Sequence, residues 1–163
     1  SLAEGRQTQG IMQLLRRNWS ELVGTMPLKV CYPALEGEQW KTLTGADPKN
    51  IAWSYQNAGA WPFLLWQLAA AGIKSGRTNL AQEALTTAES CIAEDRWPEY
   101  YDGRSGRLVG KEAKLKQTWS AAGYIIARRL LEKPQLQDIL VFPESSDILA
   151  CSRRIAGEIG EES

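Results

Sequence analysis

An acid set among aromatic rings is the first stretch of this chain whose residue types could do chemistry: Arg96-Trp97-Pro98-Glu99-Tyr100-Tyr101-Asp102. Pro98 stiffens the approach to Glu99. A carboxylate in an aromatic pocket has its charged form disfavoured by desolvation, and neighbouring hydroxyls can orient it. Such a group suits proton transfer. Glycoside hydrolysis needs two carboxyl groups across the scissile bond, ~6.5–9.5 Å apart in inverting enzymes and closer in retaining ones. Glu99 supplies one, and an exposed loop glutamate is the plain alternative. Glu36, in Pro33-Ala34-Leu35-Glu36-Gly37, is the second candidate acid. Asp47 joins Glu36 as a candidate substrate contact, although an aspartate before Pro48 more often marks a turn than a site. Asp102 is equally able to bond Arg104 or a turn amide.

A second rich stretch is Trp53-Ser54-Tyr55-Gln56-Asn57-Ala58-Gly59-Ala60-Trp61-Pro62. Trp53, Tyr55 and Trp61 offer flat apolar faces, and Gln56 and Asn57 offer carboxamides. Sugar C–H faces stack on rings while hydroxyls take fixed hydrogen bonds, so these five residues and Tyr101 form a candidate sugar surface. An aromatic core loop is the competing reading. Trp66 and Trp119 fall inside helical patterns and read as core.

Composition narrows the classes. The 163 residues allow one ordinary domain with a proper core. Lys plus Arg equals Asp plus Glu at 19 each, with no long basic run, which argues against a nucleic-acid partner. The chain holds no histidine, so its own residues build no Ser-His or Cys-His nucleophile and lack the commonest metal ligand. Cys31, Cys91 and Cys151 are odd in number and fit neither a disulfide framework nor a zinc spacing. No metal site is expected, and a reduced, cytoplasmic compartment is the simplest reading. No apolar run reaches the ~18 residues of a membrane span, so no membrane partner is expected. A homo-oligomer stays open.

The elements that must position these residues read as helices. Residues 7–23 carry apolar positions at Ile11, Leu14, Leu15, Trp19, Leu22 and Val23, at helical spacing. Residues 25–60 form a long irregular connection, too apolar for disorder, with short strands expected at 28–32 and 40–43. Residues 61–74 are apolar nearly all round and predict a helix buried on every face, with Pro62 in its first turn. Residues 78–94 carry one apolar stripe, from Leu80 to Ile92, and Asn79 with Gln82 resembles a capping box. Residues 95–116 form the second rich loop, with a small hairpin around Asp102-Gly103 and Ser105-Gly106. Residues 118–131 are again mostly apolar. The tail offers a marginal apolar stretch at 139–142, a short helix at 145–151 and a frayed end at 157–163. Buried, amphipathic and buried helices in turn suit an inner and an outer ring with loops at one mouth, although four helices do not close such a ring. The chain is then either a fragment or a smaller bundle with decorated loops.

Several motifs in order resemble the C-terminal part of a neutral/alkaline invertase of the plant and cyanobacterial type. They are Met26-Pro27-Leu28-Lys29-Val30-Cys31-Tyr32-Pro33-Ala34-Leu35-Glu36-Gly37, Thr44-Gly45-Ala46-Asp47-Pro48-Lys49-Asn50, the segment from Trp53 to Pro62, the segment from Asp95 to Asp102, and residues 107–118. The match covers about residues 7–142, and a weaker similarity to trehalases points to the same architecture. The resemblance implies an all-α fold, part of an (α/α)6 toroid. Residues 1–163 would then be the C-terminal segment of one catalytic domain. It implies inverting hydrolysis of sucrose to glucose and fructose without a cofactor, with Glu99 as general base and an aspartate acid lying upstream of Ser1. The family commonly has His where this chain has Gln56, and Gly where it has Ala58.

Two other readings compete. A sugar epimerase could share the toroid, but those enzymes rely on histidine for proton transfer. A helical carbohydrate-binding or interaction module would use the same loops without turnover.

Overall fold

The computed structural model describes residues 5–26, 28–105 and 107–140. Six α-helices occur among them: α1 (Gly5–Arg17), α2 (Trp19–Leu22), α3 (Gly37–Thr44), α4 (Leu65–Lys74), α5 (Thr78–Glu89) and α6 (Thr118–Glu132), with 3-10 turns at Pro48–Asn50, Pro62–Leu64 and Pro134–Ile139. The chain is all-α, as expected. Its extended pairing amounts, among the described residues, to four isolated bridges. The expected tail helix, the frayed end and Cys151 lie outside the described residues.

Helices α4, α5 and α6 pack on one another and carry the core. Leu65, Leu68 and Ala69 of α4 meet Ala81, Ala84, Leu85 and Ala88 of α5 and Ala127 and Leu130 of α6. The stripe on α5 is the predicted one, and it runs on through buried Cys91 and Ile92 in the turns that follow. No capping box forms: Arg77 is the N-cap, and no side chain bonds the first amides. Gly123 explains how closely α6 approaches its neighbour, since a Cβ there would land on the Phe63 backbone.

Several expectations need correction. Residues 40–43 are helical, inside α3, where the Thr44 hydroxyl bonds the Trp40 carbonyl at 2.8 Å and Lys41 pairs with Glu38 at 2.7 Å. A strand at 28–32 reduces to one bridge between Lys29 and Ala60. The first helix breaks at Asn18, whose side chain donates to the Leu14 carbonyl at 2.9 Å. Its buried residue is Met12, while Ile11 and Leu14 face solvent. Helix α4 is not dry all round, because Gln67 and Ala71 are exposed.

Candidate active site

Three extended segments lie side by side and set the site. Trp61 donates its amide to the Leu28 carbonyl at 2.8 Å, and Val30 donates to the Gly59 carbonyl at 3.0 Å. Ala60 and Tyr101 exchange both backbone bonds, at 2.9 and 2.7 Å. The second rich loop then doubles back on itself as the expected hairpin. Glu99 N–H bonds the Lys114 carbonyl at 2.7 Å, Asp102 N–H the Leu108 carbonyl at 2.7 Å, and Lys116 N–H the Arg96 carbonyl at 2.8 Å. The Ser120 hydroxyl on α6 ties the Pro98 carbonyl down at 2.8 Å. The helical layer therefore holds the Glu99 loop through one buried bond.

Much of this backbone is strained. Trp53, Tyr55, Ala58, Arg96, Trp97, Glu112 and Lys116 all adopt φ between 46° and 69°. Side chains with a Cβ pay about 1–2 kcal/mol for that conformation, and such residues gather at sites where the surroundings dictate geometry.

Glu99 is buried, at 8% exposure. Its Oε2 accepts from the Lys114 amide at 3.3 Å and lies 3.8 Å from the Lys49 ammonium. Its Oε1 takes no bond from the described residues. Hydroxyls do not orient the carboxylate as the sequence suggested. The Tyr100 hydroxyl instead meets Ser54 Oγ at 3.2 Å and donates to the Lys111 carbonyl. Burial pushes the Tyr100 phenol up from the ordinary tyrosine value.

An aromatic group adjoins the acid. Trp61 stacks on Tyr100 at 5.4 Å and meets Tyr55, Phe63 and Trp119 at 5.2, 5.9 and 5.5 Å. The Trp61 indole N–H donates to the Tyr55 carbonyl at 2.9 Å, which fixes its plane, and the ring is fully buried, a correction to its reading as a sugar contact. Phe63 and Trp119 stack at 4.9 Å and 10°. Trp119 is thus 43% exposed beside the loops, a correction to its reading as core. Its place in the first turn of α6, next to a rich loop, was the signal. Trp66 packs against the core as expected.

The other predicted residues separate. Asn57 is buried, and its amide is fully engaged by Leu35 N–H, Leu35 C=O and Asn50 C=O at 2.7–3.0 Å. It braces two loops. Gln56 is exposed, with a free carboxamide among the described residues and its backbone held by Asn50 and Cys31. Trp53 faces a different concavity of about 380 Å³, shared with Lys29, Gly103 and Arg104 and not lined by Glu99. Its indole N–H is buried without a partner among the described residues. Tyr101 points into the core, and its hydroxyl donates to Asp95 at 3.0 Å. Trp97 rests against Tyr124 of α6 at 5.5 Å. Glu36 is exposed and lies 3.8 Å from Arg104. Asp47 caps the turn at Pro48–Asn50, accepting from Lys49 N–H at 2.9 Å. Asp102 Oδ1 accepts the Arg104 and Ser105 amides, as the turn reading expected. Sequence reasoning missed Lys49, Ser54, Phe63 and Lys114, which reach the acid or its rings only through tertiary contact.

The arrangement recovers the motifs that carried the resemblance: an ordered acid loop, an aromatic loop and the turn between them. The family model for alkaline and neutral invertases matches residues 1–134. This chain belongs to that family. It is 58% identical over 134 residues to an alkaline/neutral invertase of Arabidopsis thaliana, covering 82% of this chain and 24% of the relative. It is 52% identical over 155 residues to the mitochondrial neutral/alkaline invertase 1 of Oryza sativa subsp. japonica, covering 93% and 25%. The chloroplastic neutral/alkaline invertase 3 of the same rice is 53% identical over 149 residues, covering 91% and 25%. The chain spans about a quarter of the length of the relatives it matches. Since relatives carry mitochondrial and chloroplastic names, a cytoplasmic location does not follow from membership of the alkaline and neutral invertases. No described helix is long and apolar enough to cross a membrane, and no described cluster of acids and cysteines suits a metal ion.

Proposed function

We propose that this chain supplies the base half of a sucrose-hydrolysing site, within a complete enzyme that continues beyond it and closes an (α/α)6 toroid. Glu99 is the general base. The observation that carries this reading is the asymmetry of its carboxylate: Oε2 is held by Lys114 and Lys49, while no described residue bonds Oε1. In the inverting step, Oε1 takes a proton from water as the water oxygen bonds the anomeric carbon. The glycosidic C–O bond breaks, and an aspartate acid from outside this chain protonates the leaving oxygen. Glucose and fructose are the products. Tyr55, Phe63 and Trp119 offer the stacking wall with the buried Trp61 ring behind them, and Gln56 is the carboxamide free to meet a sugar hydroxyl. Family membership supports sucrose as the substrate class over epimerisation or turnover-free binding.

Glu99→Gln in the complete enzyme tests this. Glutamine keeps the shape but takes no proton, so the rate of glucose release should fall by about 10²–10⁴. Retention of more than about a tenth of the rate places the base elsewhere, with Glu36 next to examine.

A further inference from the structure

We propose that Lys49 is a positioning residue for Glu99, holding Oε2 so that Oε1 alone is presented to water. The inference rests on the reading of Glu99 as the base and adds a residue that acts through it. Lys49 is not a loosely solvated surface lysine: its side chain is only 25% exposed and its partner's only 10%. The ammonium lies 3.8 Å from Oε2 and 3.9 Å from the centre of the Tyr55 ring, with the Tyr100 ring 5.9 Å away. Cation–π attraction and the ion pair therefore draw the same group to one point. Its backbone is equally fixed. Asp47 accepts Lys49 N–H at 2.9 Å and the Asn50 amide at 3.0 Å, and Asn50 accepts Gln56 N–H and the Asn57 amide, both at 3.0 Å. This network ties the turn that carries Lys49 to the loop that carries Tyr55.

Without the ammonium, Oε2 keeps just one long amide bond, at 3.3 Å, and the carboxylate is freer to turn. A base that loses its aim loses rate rather than substrate affinity, because the proton moves only as the transition state forms.

The test is a double-mutant cycle in the complete enzyme, with kcat and KM for sucrose measured for the parent, Lys49→Met, Lys49→Arg, Glu99→Gln and the Lys49→Met/Glu99→Gln pair. Methionine keeps the stem and removes the charge; arginine keeps charge and stacking. Lys49→Met should lower kcat by about 10²-fold with KM unchanged, the usual result of a small misplacement of a reacting group. Lys49→Arg should recover most of that loss. Adding Lys49→Met to Glu99→Gln should cost nothing further, since the two act as a unit. A rise in KM at constant kcat overturns the proposal by making Lys49 a sugar contact. Full additivity overturns it by making the effect independent of Glu99. If Lys49→Met does not fold, Lys49→Gln, which also removes the charge, takes its place in the same cycle, and a KM effect, or additivity, again overturns the proposal. Should Glu99→Gln alone stay active, the base reading fails; should it be inactive while Lys49→Met behaves as the parent, only the role of Lys49 fails.

Discussion

The Tyr100 ring lies nearly parallel to the Trp61 indole, 5.4 Å between centroids and 21° between planes, and so locks the Glu99 loop to the aromatic loop. Two segments distant in sequence thereby share one rigid wall beside the acid. Gly110 lies hard against Tyr100, where an added Cβ would fall on the ring itself.

Gly110→Ala should therefore push Tyr100 off Trp61. Overpacking of this kind costs about 1–3 kcal/mol. A thermal melt should show the loss, and near-ultraviolet circular dichroism should show altered aromatic signal with the helical signal retained. An unmoved midpoint and spectrum would mean that the ring yields to the methyl group without leaving Trp61.

Gln56→His addresses substrate contact rather than packing. Gln56 is exposed, and the bonds that hold it run through its backbone, so they survive the change. A rigid imidazole in place of a flexible carboxamide loses less freedom when sugar binds. In the complete enzyme kcat/KM for sucrose should improve by less than about tenfold, since one hydrogen bond contributes ~0.5–1.5 kcal/mol net. The thermal midpoint should stay put. Unchanged kinetics with a large loss of stability would mark the residue as structural.

Tyr101 predicts an alkaline limit to stability. Burial, with the Asp95 carboxylate beside its hydroxyl, pushes this phenol well above the ordinary 10.0. A raised folded-state value means that the folded chain keeps a proton the unfolded chain gives up. The stabilisation is complete below pH 10 and is lost progressively above it, as the unfolded chain ionises. Denaturant midpoints followed from about pH 9 to 11 should fall. Tyr101→Phe should flatten that fall, although Tyr100 and Tyr124, also raised, keep part of it. An identical slope in the phenylalanine variant would remove Tyr101 as the cause.

The chain by itself should release no glucose from sucrose and should self-associate. Helix α6 shows Ile125 at 55% and Ile126 at 38% exposure, with Trp119 on its first turn, so a helix read from the sequence as buried has an uncovered apolar flank in this chain. Such surface is ordinarily buried against a partner. Sedimentation velocity should report species larger than 18.1 kDa. A monodisperse monomer, or glucose release above a boiled control, would contradict this.

The sequence displayed the helices well because their apolar periods are long: the stripe from Leu80 to Ile92 is buried as drawn. It also displayed the acid loop, through Pro98, Glu99 and closely placed glycines. It misplaced residues 40–43, where Trp40 and Leu43 look strand-like while local bonds from Thr44 and Lys41 favour a helix. It grouped Tyr101 with the site although successive side chains on an extended segment face opposite ways, Tyr100 to the rings and Tyr101 to the core. Lys49 left no local trace, since nothing near it in sequence announces the carboxylate it meets.

The strained loops carry a consequence for selection. At Trp53, with φ 69°, and Tyr55, with φ 46°, glycine would relieve the backbone outright. Aromatic residues persist there at a standing energetic loss. A library randomised at these two positions should diverge under different pressures: screening for heat tolerance enriches glycine and asparagine at both, while screening for sugar turnover returns the ring at Tyr55 and not at Trp53, which faces a different concavity. The ratio of the two outcomes at each position would measure directly how much of the strain serves the ligand.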